Sequence, residues 1–519
     1  MYSSYNIINS NIITLNKVNP ILNSVTIQDG KIIAINSPES TFKSIDLNGA
    51  TVLPGITDSH FHLKNLGKRL EQLDLKGVKS IEKIVEMIEE KINELAPGTW
   101  IKGFGWDQSL WDDKKFPTPK VLNTISPFHP IMLTRVDGHS IWVNNLALKL
   151  SGYDVDNPQA PDGGKIINNC ILLDNAMNKI WDVQPEDSFS DVKRWIKIAA
   201  NTASSRGITN VHDAWQDQYT IDAIKELISE NNFPIRCYGM LGSGYPDLLN
   251  EYFQNGHYNS ELYKIRSVKA FIDGALGSRG AALLEPYSDD HCNCGLILIS
   301  NEEFSQLSKK CNDANFQLCT HAIGDKGNRM VLDAYRNATQ NSSNHRWRIE
   351  HAQMVTDEDI PKFLEYNILP SMQPSHCTSD MRWLDKRIGL DRLSRVSRWK
   401  SFIDLGIPIP GGSDCPIEDG EPLFEYYAAV TRQNHSGWPE GGWQPQEKID
   451  RLNALKMFTT WAAFGEFSED RRGLIKEGYD ADFTIYDNDI TTCSPPEILN
   501  STLIATIVNG TFVYNPNKL

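Results

Sequence analysis

The chain has 519 residues, of which 40% are hydrophobic and 23% charged, the make-up of a folded globular protein longer than one ordinary domain. A formal net charge of −15 argues against a nucleic-acid partner, which would require clustered Lys and Arg. No uncharged apolar run reaches the ~18–20 residues needed to span a bilayer, so no membrane role is expected.

The opening stretch, MYSSYNIINSNIITL, lacks a basic region followed by an apolar one, so no signal peptide is expected and the location expected is cytoplasmic. In NSVTIQDGKIIAINS, Asp29-Gly30 separates two alternating runs and predicts a hairpin, because this pair accepts the positive φ angles of a tight turn. The apolar run at 52–57 predicts a strand. His60 and His62 follow it, and side chains two apart share one face of an extended chain. Chance supplies about 0.3 such His pairs in a chain with 12 His, so the pair needs support from elsewhere.

SIEKIVEMIEEKINELAPG predicts a helix capped by Ser80. Its apolar stripe is Ile81, Ile84, Val85, Ile88, Ile92 and Leu95, and Pro97-Gly98 is its stop. Further strands are predicted at 131–136, 208–212, 235–240, 266–272, 316–321, 346–351, 368–372 and 407–412, and helices at 190–205, 219–231, 302–314, 326–338 and 451–463. With 52–57 this is one strand more than a (β/α)8 barrel needs. The stretch from about 65 to 190 is too long for a single crossover, so 131–136 is assigned to an inserted subdomain over that range. The last forty-five residues return to short strands around an Asn509-Gly510 turn. The expected architecture is α/β: a TIM-like (β/α)8 barrel at 53–465 with an insertion after its first strand, and a composite β-sandwich from 1–52 and 466–519.

Barrel enzymes keep their reactive groups at the C-terminal ends of the strands. Here those ends carry His60 and His62, His321 in NFQLCTHAIGD, His351 in RWRIEHAQ and Asp414 in IPIPGGSDCP. Imidazole and carboxylate together suit zinc or a similar divalent ion. Lys269, inside SVKAFIDGALGSRGAAL, is in phase with Phe271 and Asp273, and a lone ammonium there would be costly to desolvate. Either it pairs with a carboxylate such as Asp273, or it reacts with carbon dioxide to give an anionic two-oxygen ligand. Cys292 and Cys294 lack the second pair of a zinc ribbon, and the nine scattered cysteines read as reduced thiols.

The order His-x-His, strand Lys, His, His and late Asp resembles the amidohydrolase superfamily. PGITDSHFH, GWDQSLW, DGHSIWVNNLAL, GITNVHDAW, VKAFIDGALGSRGAAL, HAIGDKGN, IEHAQ, SMQPSHCTSDM, GGSDCPIE and GLIKEGYDADFTIYD narrow this to the family-3 amidohydrolases, which include the N-substituted formamide deformylases. The resemblance runs over nearly the whole chain. It implies a barrel with a composite sandwich and a centre of one or two zinc ions. His60, His62 and Asp414 would hold one ion and His321 and His351 the other, with Lys269, if N6-carboxylated, bridging them. The implied reaction is hydrolysis of a non-peptide C–N bond, a linear amide or N-formyl group, in a small-molecule substrate, and a homodimer is compatible with it. Hydroxide attacks the carbonyl, and Asp414 carries the proton to the leaving nitrogen. Substrate-binding candidates are His139, Trp106, Asp273, Arg279, His376 and His212, with Trp111 beside Trp106 as an apolar wall. For His212 a hydrogen bond behind the ligands is the alternative. The rival readings are a mononuclear deaminase of the same superfamily, which Lys269 disfavours, and a catalytically silent scaffold, which the full ligand set disfavours.

Overall fold

The computed structural model describes residues 4–340 and 344–519. The chain divides into two compact units, Met1–Leu66 with Ile196–Leu519, and Gly67–Trp195. The first unit is built around a parallel barrel. Its strands are β1 (Ile56–Phe61), β2 (Ile208–Gln216), β3 (Arg236–Gly242), β4 (Tyr263–Phe271), β5 (Gln317–Ala322), β6 (Arg348–His351) and β7 (Leu369–Ser371), each paired with the next. Their mostly buried residues on both faces are what a sheet covered on two sides requires. The helices Gln218–Ser229, Asn301–Asp313 and Asp325–Thr339 follow β2, β4 and β5. Ser300 and Glu303 close a reciprocal cap at the start of the second of these.

The eighth segment departs from the expected strand at 407–412. Pro408 and Pro410 have no N–H to give a ladder, and pairing shrinks to isolated bridges between Met372 and Gly411 and between Phe61 and Cys415. The segment still closes the ring. Ser59 N–H donates to the Gly411 carbonyl at 2.9 Å, Asp414 N–H to His60 at 2.8 Å, and Met372 N–H to Pro410 at 3.1 Å. Gly412 passes so near β1 that a Cβ would lie 2.5 Å from the His60 amide nitrogen. The helix expected at 451–463 is broken into Arg451–Met457 and Thr460–Gly465, where the Thr459 hydroxyl donates to the Leu455 carbonyl.

Strands from both ends of the chain make two further sheets. One runs Lys31–Ile35, Val25–Gln28, Ser4–Ile8, Lys43–Asp46. The other runs Thr511–Tyr514, Leu503–Val508, Phe483–Tyr486, Thr51–Pro54, Asn11–Ile13, Ile21–Leu22. Tyr5, Ile7, Ile27, Val52, Phe483, Ile485 and Ile507 share a core with them. The run read as one strand at 52–57 is two: it serves this sheet through Pro54 and enters the barrel at Ile56. Asp29 and Gly30, at φ 48° and 78°, close the hairpin between Gln28 and Lys31.

In the second unit a six-stranded sheet runs Gly164–Ile167, Ile171–Asp174, Ser140–Val143, Ile131–Arg135, Ile101–Trp106, Leu73–Asp74. The helix Ile81–Ile92 starts at Ser80, whose hydroxyl accepts from Lys83 N–H at 3.2 Å, and buries Ile84 and Ile88. It ends at Ile92, before the Pro97-Gly98 stop, with residues 93–95 in a turn and bend. Among the described residues no helix is long and apolar enough to cross a membrane.

Candidate metal centre

Strand geometry gathers the polar groups at one end of the barrel. His60 is in β1 and His62 follows its end, so both point to the same side and both reach Asp414 of the eighth segment. His62 Nε2 lies 3.0 Å and His60 Nε2 3.4 Å from Asp414 Oδ1. His351 ends β6 at φ 72°, and Asp414 stands at φ 59°, left-handed conformations that cost L residues energy and recur at functional sites. The ring centres of His321 and His351 are 4.6 Å apart, and those of His60 and His351 4.9 Å.

Each of these four imidazoles spends one nitrogen on an oxygen acceptor. His60 Nδ1 donates to the Glu350 carboxylate. His62 Nδ1 donates to the Ala214 carbonyl at 3.0 Å, and His351 Nδ1 to Gln373 Oε1 at 2.7 Å. His321 Nε2 faces the Gly274 carbonyl at 3.5 Å. An N–H committed on one side leaves a lone pair on the other, which is how metal-binding histidines are oriented. Burial and the neighbouring Lys269 push the His60 imidazole down to about 4 and that of His321 to about 3, so both rings are neutral near pH 7. Burial likewise holds His351 well below its ordinary value.

The donor set therefore fits a cation. With Nδ1 directed at the Ala214 carbonyl, His62 turns Nε2 toward a carboxylate oxygen 3.0 Å away, an arrangement in which both atoms can share one cation. Separations of 3.0 and 3.4 Å match ligands of one ion, since atoms ~2.1 Å from a tetrahedral zinc lie ~3.4 Å apart. His60, His62 and Asp414 form one group whose ligand atoms lie within 4.8 Å of one another, and His351, His376 and Asp414 form a second. His376 Nε2 is buried without a hydrogen-bond partner among the described residues, 3.8 Å from Asp414 Oδ2. His376 was expected at the substrate. It lines the cavity over the cluster and also lies beside His351 and Asp414, with His321 adjacent.

Lys269 is buried, with Nζ 3.2 Å from His60 Nε2. Burial lowers its pKa, partly offset by Glu350 and Asp414. The pairing with Asp273 does not occur: that carboxylate accepts the backbone N–H groups of Ala282 and Gly324 at 2.8 Å and Ile323 at 3.0 Å, and so ties two loops together. His212 is enclosed, accepting from Arg348 Nη1 at 2.8 Å with its Nε2 3.4 Å from Glu466, which puts it behind the ligands. Arg279 is paired bidentately with Asp289 at 3.0 and 3.1 Å and offers no free cation. In the second unit Trp106 is wholly buried, stacks on Trp111 and donates to the Leu133 carbonyl at 2.8 Å, a packing role instead of a substrate wall. His139 is exposed there, 3.2 Å from Asp174. Cys292 and Cys294 are free thiols.

Residue reasoning missed Arg348 and Glu350. Arg348 donates to Glu350 at 3.0 Å and to Ser371 Oγ at 2.9 Å, and Glu350 in turn holds His60. The signal was present, since RIEH places two charges in phase inside a barrel strand. Over the cluster lies a cavity of about 440 Å³, with Phe271, Leu276, Ile323, Trp383 and Ile417 among its walls.

The chain is similar to known proteins over most of its length. A sequence profile of the amidohydrolase family matches residues 43–514. The protein LONG AFTER FAR-RED 3 of Arabidopsis thaliana is 30% identical over 544 aligned positions, covering 98% of this chain and 91% of that one. The N-substituted formamide deformylase of Arthrobacter pascens is 23% identical, with 98% of each chain covered. A crystal structure of an uncharacterized metal-dependent hydrolase from Pyrococcus furiosus superposes with a TM-score of 0.80 at 27% identity, covering 94% of this chain and all of the other.

Proposed function

The chain belongs to the amidohydrolase family, and on that premise we propose that it is a metal-dependent hydrolase that cleaves a non-peptide C–N bond, a linear amide or N-formyl group, at the mouth of its barrel. One observation carries this reading: four imidazoles each have one nitrogen tied to oxygen, leaving the other for a cation beside Asp414. His60, His62 and Asp414 would hold one zinc ion, and His351 with His321 or His376 would hold a second. Lys269 would carry a carbamate, formed when its neutral Nζ adds to carbon dioxide and loses a proton, and would then offer the centre an anionic oxygen ligand. Bound zinc supplies a lowered pKa for water and polarisation of the scissile carbonyl.

The protein's own groups do the rest. Asp414 holds the proton released by the attacking water at a carboxylate oxygen and delivers it to the leaving nitrogen, so that amide and water become acid and amine. Burial alone would raise this carboxyl, and a cation held together with His60 and His62 would keep Asp414 ionised and ready to accept. Glu350, fixed by Arg348, orients His60. The apolar walls of the cavity exclude water from the carbonyl.

The test is elemental analysis of the purified protein, intact-mass measurement of Lys269 under native conditions, and a screen of N-formyl amines, N-acyl amino acids and cyclic amides. About two zinc per chain, the added mass of one carbon dioxide on Lys269 and turnover of a linear amide are expected. One zinc with deaminase activity, or no metal, would contradict the reading.

A further inference from the structure

A second, smaller cavity of about 260 Å³ adjoins the metal centre and shares His62 and Phe271 with the larger one. Trp215, Tyr245, Phe271 and Ala214 are among its walls. Its aromatic wall is made by an irregularity in β2. Between Asp213 and Gln216 this strand advances three residues while β3 advances two, from Gly239 to Leu241, so one extra residue is accommodated at Ala214–Trp215. Such bulges re-aim a side chain. This one has two results at once: the Ala214 carbonyl turns to accept from His62 Nδ1, and Trp215 adopts φ 68°, a costly conformation for a bulky residue.

The indole lies against the end of β3, where a Cβ on Gly242 would come within 3.0 Å of it. It meets Phe271 at 5.1 Å and Tyr245 at 6.0 Å between ring centres, inclined by 59° and 57°. Inclined rings leave faces and edges for one more aromatic group. The charged side chains on this cavity already have hydrogen-bond partners. Lys64 pairs with Asp217 at 3.0 Å, and Asp213 accepts from Leu63 N–H and Gln216 Nε2, both at 2.7 Å. A cavity of ~150 Å³ admits benzene, so this one has room for a ring and a short linker.

We propose that the Ala214–Trp215 bulge builds an aromatic subsite beside the metal centre, which makes aryl-bearing amides the preferred substrates and Trp215 the residue that selects them. The inference rests on the hydrolase reading for its chemistry, though binding to the subsite requires no turnover.

Two pairs of compounds test it on the full-length, zinc-loaded protein. N-(2-phenylethyl)formamide and N-methylformamide report kcat/KM. The uncleavable N-(2-phenylethyl)methanesulfonamide and N-methylmethanesulfonamide report Kd by calorimetry. The wild type should favour the phenylethyl member of each pair by roughly tenfold or more. Trp215→Gly, which accepts the left-handed backbone without a ring, should bring the ratio near one, and Trp215→Phe should restore most of it. If Trp215→Gly fails to fold, Tyr245→Ala at the outer wall should lower the same ratio. A wild type without preference in binding, or variants that keep it, would overturn the subsite. Absence of formamide turnover with the sulfonamide preference intact would instead count against the hydrolase reading while upholding the subsite.

Discussion

Asp414 faces both histidines of the β1 end through one oxygen while its other oxygen faces His376, so in the proposed reaction a single carboxylate would serve as ligand and proton carrier together. Asp414→Asn preserves the shape and one acceptor but removes the basic oxygen. Metal content measured by elemental analysis should be retained, with turnover reduced on the order of 10²–10⁴-fold. Unchanged turnover would remove Asp414 from proton transfer. Glu350 acts one step further back. Glu350→Gln leaves Arg348 without its buried counter-charge and weakens the bond that orients His60, so zinc affinity should fall by roughly 10–100-fold in a competition titration. An unaltered affinity would reduce Glu350 to a packing residue. The candidate ligands were legible as single letters at strand ends. Their orientation was not, because it depends on acceptors such as Gln373 and Ala214 that come from distant segments and carry no motif.

Among the elements, the tight turns and the alternating or apolar strands follow from local chemistry, and the hairpin at Asp29-Gly30 appears where its φ preferences require it. The eighth barrel segment shows the limit of pattern reading. Its apolar alternation suggests a strand, yet the same prolines that fill the pattern remove the donors, and closure falls to a few hydrogen bonds around Gly411 and Asp414. The bulge in β2 was equally hidden, since nothing in HDAWQ announces an extra residue. The entry to β6 offers a test of element stability. His345 accepts from Trp347 N–H at 2.9 Å and donates through Nε2 to the Tyr366 carbonyl at 3.0 Å. Burial pushes its imidazole down to about 4. The unfolded chain, with an ordinary value near ~6.5, takes up a proton that the folded chain refuses. Stability should therefore fall as pH drops from ~6.5 toward ~4, by about 2–3 kcal/mol from this group. His345→Gln should show a smaller loss of urea midpoint between pH 7 and 4.5, and an identical loss would refute the assignment.

For the molecule as a whole, the barrel and the sheets made from both chain ends are joined by buried charge. Arg236, at the start of β3, grips Asp482 at 2.7 and 3.0 Å, and Asp480 lies 3.5 Å away. Removing Asp482 leaves Arg236 with the more distant carboxylates of Asp480 and Glu261, so Asp482→Leu should cost about 1–3 kcal/mol in denaturant unfolding. Arg236→Leu in the same chain should recover part of that loss. Additive losses would mean that the pair does not couple these elements. Everything functional, however, depends on whether the convergent donors at the barrel mouth hold metal. The most direct measurement is anomalous diffraction at the zinc edge from crystals of the zinc-loaded protein. A peak between His60, His62 and Asp414, with a second beside His351, is the expected result. A map without anomalous density at that end of the barrel, or with zinc bound only elsewhere, would contradict the account.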